Sequence, residues 1–181
     1  MGDDWRPPTY YHESGHVIAA LKRGGYVVSI DLNEVEPETD VPVEPPGRAF
    51  KIWAGPWAQA YFEDAENCTE VRVAALFQGQ SFFDWPLYEE ALDPQRAKEI
   101  KVREAAAAAE MADLMPDRPK PDNLPPVTPP DPGWHDELVA AWPEIQQLAI
   151  SLLRGESPIE LRNGQRLVLD EDRADYWSPE D

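Results

Sequence analysis

The sequence of 181 residues predicts a mainly helical α+β domain with a small sheet and a C-terminal hairpin. Three observations carry this prediction. Apolar residues recur at helical spacing near both ends, at Tyr11, Val17, Ile18, Ala20 and Leu21 and again at Ile145, Leu148, Ala149 and Leu152. Alternating, β-branched stretches are confined to residues 26–32 and 159–169. The length suits one domain spanning 1–181, and a hydrophobic fraction of 42% with seven tryptophans provides for a core.

Each element has its own signal. A first helix is expected from Thr9 to Leu21, entered after Pro7 and Pro8, capped by Thr9 and stopped by Gly24 and Gly25. Tyr26 to Leu32 reads as a strand, and the proline- and glutamate-rich stretch Asn33 to Gly47 as a solvent-facing loop or irregular edge segment. Ala49 to Glu63 carries small residues at Ala54, Gly55, Ala58 and Ala60, which suit close helix packing; Pro56 predicts a break or kink.

Val71 to Phe77 fits helix or strand. Gly79 to Asp84 is expected to turn into a helix from Trp85 to about Leu92, and Asp93 and Pro94 to open an alanine-rich helix reaching Met115. Residues 115–134 hold eight prolines and read as a polyproline-like loop. A core helix is expected within 135–154. Ile159 to Leu169 alternates about Asn163-Gly164, which predicts a hairpin with a type I′ turn, and 170–181 reads as an acidic tail.

Sixteen basic against 35 acidic residues give a formal charge of −19, which repels nucleic acid and anionic membrane surfaces. No apolar run approaches a membrane span, and the acidic start resembles no signal peptide. The single cysteine, Cys68, cannot form an internal disulfide. It is expected to be a small, at least half-buried apolar side chain in a reducing, cytoplasmic setting. No glycine-rich phosphate loop is present, so no ATP site is expected.

Residues 12–16 read His-Glu-Ser-Gly-His. On a helix, positions four apart share a face, so His12 and His16 can direct ring nitrogens at one metal ion while Glu13 stands beside it. That arrangement serves hydrolysis. Zinc acidifies water and polarises a carbonyl, and a carboxylate that does not ligate the metal remains free to take the proton. Catalytic zinc usually takes three protein ligands. The residues alone leave four candidates for the third: His135, Glu36, Glu63 and Asp84.

Tyr11-His12-Glu13-Ser14-Gly15-His16-Val17 resembles the motif of FtsH-type ATP-dependent zinc proteases, where Tyr-His-Glu-Ala-Gly-His is typical. Val28-Ser29-Ile30 is similar to that family's following strand, Trp53-Ala54-Gly55-Pro56-Trp57-Ala58-Gln59 to its Ala-Gly-Arg-Ala-Ala-Glu helix, and Gly79 to Asp84 with Leu87 and Ala91 to its Gly-Ala-Ser-x-Asp-Leu helix. The likeness spans residues 9–95 and, more faintly, 142–153. It implies a zincin-like metallopeptidase domain with Asp84 as third zinc ligand, whereas the place of Asp84 before Trp85-Pro86 also suits a helix N-cap. Gln59 stands where the family has glutamate, and Pro56 and Pro86 depart from its helices.

The ATPase module and membrane anchor of that family have no counterpart in the sequence. The expectation is therefore a free-standing zinc peptidase with Zn2+ on His12, His16 and Asp84 and Glu13 as general base. It would act on peptides or unfolded protein, without ATP, nucleic acid or membrane, and strand 26–32 would receive substrate if it lies at a sheet edge. Two alternatives are a non-catalytic zincin-fold regulatory module and a protease dedicated to one target. An intact Glu13 speaks against the first.

Overall fold

A computed structural model describes residues 6–33, 37–79, 81, 84–95, 98 and 126–180. Among these, five α-helices accompany one antiparallel sheet: α1 (Arg6–Lys22), α2 (Gly47–Glu63), α3 (Glu70–Phe77), α4 (Asp84–Leu92) and α5 (Trp134–Leu153). The strands are β1 (Ser29–Asp31), β2 (Glu38–Asp40), β3 (Ile159–Glu160), β4 (Arg166–Asp170) and β5 (Arg173–Pro179). No helix among the described residues is long and apolar enough to cross a membrane.

Helix α1 starts earlier than the proline pair suggested. Pro7 and Pro8 lie in its first turn, where their missing N–H groups have no intrahelical partner to lose. Its end is the expected glycine stop. Gly24, at φ 78°, bonds Leu21 O, and Gly25 N bonds Ala20 O, which closes a Schellman motif. The core joins α1, α2 and α5 through Val17, Ala20, Trp57, Ala58, Leu138, Ile145 and Leu152, all buried. Helix α2 continues through Pro56, although the missing proline N–H deprives the Ile52 carbonyl of its donor. The ambiguous segment 71–77 is helical, with Thr69 Oγ1 capping Arg72 N at 3.3 Å.

The strand order is β2-β1-β5-β4-β3. Of three expectations that bear on the sheet, one is corrected. The stretch 33–47, read as a loop or irregular edge segment, contains the edge strand β2, whose Thr39 pairs with Ile30 in spite of the surrounding prolines. β1 does not meet the edge condition set for receiving substrate, because β2 and β5 flank it; the edges are β2 and β3. The stretch read as an acidic tail is the central strand β5, in which Trp177 is buried between partners Ile30 and Leu169. Its acidic residues disguise a strand whose stability comes from one aromatic anchor and two neighbours.

The hairpin forms, with Glu160 opposite Arg166, but its turn differs from expectation. Only Gly164 has positive φ, 84°, and Leu161 N bonds Gln165 O across a three-residue loop. Such a loop needs one left-handed residue where type I′ needs two. Of the proline-rich loop, 126–133 is described, and the buried carboxylate of Glu89 holds it by accepting Thr128 N at 2.7 Å and Thr128 Oγ1 at 2.6 Å. The alanine-rich helix expected to reach Met115 lies outside the described residues but for its first positions.

Candidate metal centre

Helices α1 and α2 meet at two glycines. A Cβ on Gly15 would lie 2.4 Å from Ala54 O, and one on Gly55 would lie 2.4 Å from His16 Nε2 and 2.9 Å from His12 Nε2. Only bare backbone lets α2 reach the face of α1 that carries both imidazoles. The small residues of α2 therefore pack as the sequence suggested, and Gly55 is the one that touches the site.

Three ligand atoms converge. His12 Nε2 lies 3.0 Å from His16 Nε2 and 3.0 Å from Asp84 Oδ2, and His16 Nε2 lies 3.7 Å from Asp84 Oδ2. These separations define a triangle with a circumradius of about 1.9 Å, just under zinc's usual 2.0–2.2 Å bonds to nitrogen and oxygen. One point near its plane is thus within bonding distance of all three atoms, so the donors fit a zinc ion with a further position left over. Among the described residues no other group of three such side chains forms.

Asp84 opens α4, where its N–H bonds Ser81 O at 3.1 Å. Its carboxylate goes to the histidines and, among the described residues, caps no helix N–H. The competing candidates are elsewhere. His135 Nδ1 accepts the indole N–H of Trp57 at 3.2 Å, and Glu63 accepts from Gln59 Nε2 at 3.1 Å and Arg72 Nη2 at 2.9 Å. Glu36 lies outside the described residues.

The surroundings orient the rings. His16 donates Nδ1–H to the Lys51 carbonyl at 2.9 Å, which leaves its Nε2 lone pair for the centre. Gln59, 6% exposed, hydrogen-bonds the His12 ring and passes the link to Glu63. Burial alone would lower the His12 pKa, but the hydrogen bond and charge of Asp84 outweigh it and raise the pKa. Burial likewise pushes Asp84 up, and the charge of His16 with hydrogen bonds to both rings holds it well below the usual carboxylate range.

Glu13 is 6% exposed, and its Oε2 accepts the Thr39 hydroxyl at 2.5 Å. Edge strand β2 thereby grips the expected base. Oε1 has no donor among the described residues, so one carboxylate oxygen is held and the other is free. Thr39 and Lys51 escape sequence reasoning because one lies in a proline-rich stretch and the other contributes a backbone carbonyl. Comparison with family models, curated proteins and solved structures finds no match to this chain.

Proposed function

We propose that this protein is a zinc metallopeptidase of zincin-like fold that hydrolyses peptide bonds in unfolded or exposed segments. The observation that carries the reading is the convergence of His12 Nε2, His16 Nε2 and Asp84 Oδ2 beside a buried carboxylate with one free oxygen. The likeness of residues 11–17 to FtsH-type proteases supports it. A cytoplasmic setting suits the lone buried thiol of Cys68.

His12, His16 and Asp84 would hold the metal. Zinc, when bound, supplies a Lewis acid that polarises the scissile carbonyl and acidifies water. Glu13 Oε1 takes the proton of the attacking water while Thr39 fixes Oε2, so the base presents one oxygen in one direction. An extended segment has β2 as the open edge to pair with, which would align its backbone beside Glu13.

The test is casein hydrolysis by zinc-loaded protein. Glu13→Gln keeps shape and ligands but removes the proton acceptor, so the rate falls by about 10²-fold or more while zinc is retained. Full activity in E13Q, or a zinc-loaded wild type that cuts no unfolded protein in a broad panel, overturns the peptidase reading and leaves the regulatory module.

A further inference from the structure

Among the described residues, the Lys51 ammonium stands at this site with no carboxylate within 4 Å. Lys51 is half-buried on α2, one helical turn before Gly55 and hence on the face that meets the two imidazoles. Its Nζ makes a single hydrogen bond among the described residues, to Val41 O at 3.3 Å, just beyond β2. Burial and then the like charge of Arg48 lower its pKa, against the attraction of Asp40, Asp84 and Glu13, none of which lies within 4 Å of it among the described residues. Each of the two site acids already has a partner: Glu13 has Thr39, and Asp84 has the histidines.

An ammonium has three donors, and this one uses a single donor on a neutral carbonyl. Half-buried charges are normally paired, so an unpaired one beside a candidate active site is matched to an anion that arrives or develops there. Lys51 leaves α2 on the face of Gly55, which meets the imidazoles, and the anchor of its ammonium, Val41 O, is two residues from the Thr39 that holds Glu13. Resting on the peptidase reading, we infer that Lys51 is the oxyanion donor of this site. Its ammonium hydrogen-bonds the substrate carbonyl oxygen as water adds to the carbonyl carbon and negative charge gathers on that oxygen. The rival role is purely structural, a lysine covering the open edge of β2.

Lys51→Met separates these roles, since the backbone carbonyl that orients His16 is unchanged. The probe is a peptide phosphonate, a tetrahedral anion that mimics the hydrated carbonyl, titrated calorimetrically into zinc-loaded protein. K51M should bind it about 10- to 100-fold more weakly with zinc content unchanged, and K51R should recover part of the loss. For cleavage of a peptide substrate, kcat should fall by about 10²-fold with KM nearly constant. K51Q serves as a second neutral variant should the methionine disturb folding. Equal phosphonate affinity in wild type and both neutral variants, or no binding to zinc-loaded wild type, overturns the assignment. Lysine-dependent phosphonate binding in a protein that cleaves nothing upholds the anion site and counts against the peptidase reading alone.

Discussion

Gly55 presses its bare backbone against the ring of His16, at a distance that leaves no room for a methyl group. In an open helix, exchanging glycine for alanine gains up to roughly 1 kcal/mol. Here the sign reverses, because the added carbon would meet Cε1 and Nε2 of His16 at 2.4 Å. Gly55→Ala should cost about 1–3 kcal/mol in chemical denaturation, as overpacking does, and weaken zinc binding more than tenfold. Unchanged stability and zinc affinity would contradict the packing described.

The protein should bind close to one zinc per chain. Replacing His12 or His16 with alanine should abolish tight binding, and Asp84→Ala should weaken it without unfolding the chain. Isothermal titration with a circular dichroism melt checks both halves. A cap residue would behave oppositely, losing about 1 kcal/mol of stability and no zinc.

Thr39→Val removes the hydroxyl that holds Glu13 and keeps the β-branched shape suited to β2. Peptide hydrolysis should drop by about tenfold or more at unchanged zinc content, with most of the loss regained in Thr39→Ser. A serine variant no better than valine would show that Thr39 acts through packing and not through its hydrogen bond.

Arg23 grips Glu137 with two hydrogen bonds, 2.6 and 2.7 Å, tying α1 to α5. Those bonds hold the Glu137 pKa below its ordinary value, outweighing burial. A depressed carboxylate contributes stability that is present above its unfolded pKa of about 4.3 and lost as pH falls through the folded value. Glu137→Gln should therefore cost about 1 kcal/mol at pH 7, and its urea midpoint should converge on the wild-type one only as pH falls through the depressed folded value of Glu137.

Burial beneath the α2 backbone, with Sγ 3.8 Å from Trp57 O, pushes the Cys68 thiol up to about 12. Against an ordinary value near 8.5, the thiolate fraction at pH 8 falls by roughly 10³-fold. Iodoacetamide should label the folded protein at least that much more slowly than the protein in urea. Fast native labelling would mean that the Cys68 region opens readily.

Much of the centre was legible because its logic is local. Four residues of helical spacing align His12 with His16, and the small residues of α2 announced a close neighbour before any neighbour was visible. Asp84 was singled out from four candidates only through the family likeness, since its 72-residue separation from His12 leaves no periodic trace. The sheet was harder. β2 has three residues in a stretch dominated by proline and glutamate, and β5 hides Trp177 among acids. Both are strands because of what they pair with, and pairing partners are not written in a single stretch of sequence.

Because β5 sits between β1 and β4, the sheet cannot be completed from either end alone. Ile30 must wait for Trp177, roughly 150 positions later, while the contact between α1 and α2 closes over a far shorter loop. The order of assembly follows. The two histidines share a face as soon as α1 forms and are covered early by α2, whereas the strand that steadies Glu13 gains a permanent place only when the latest-made strand docks. A nascent chain released before that strand emerges has metal ligands in hand and an unsteady base, and pulsed hydrogen exchange during refolding should show α1 and α2 protected before Thr39.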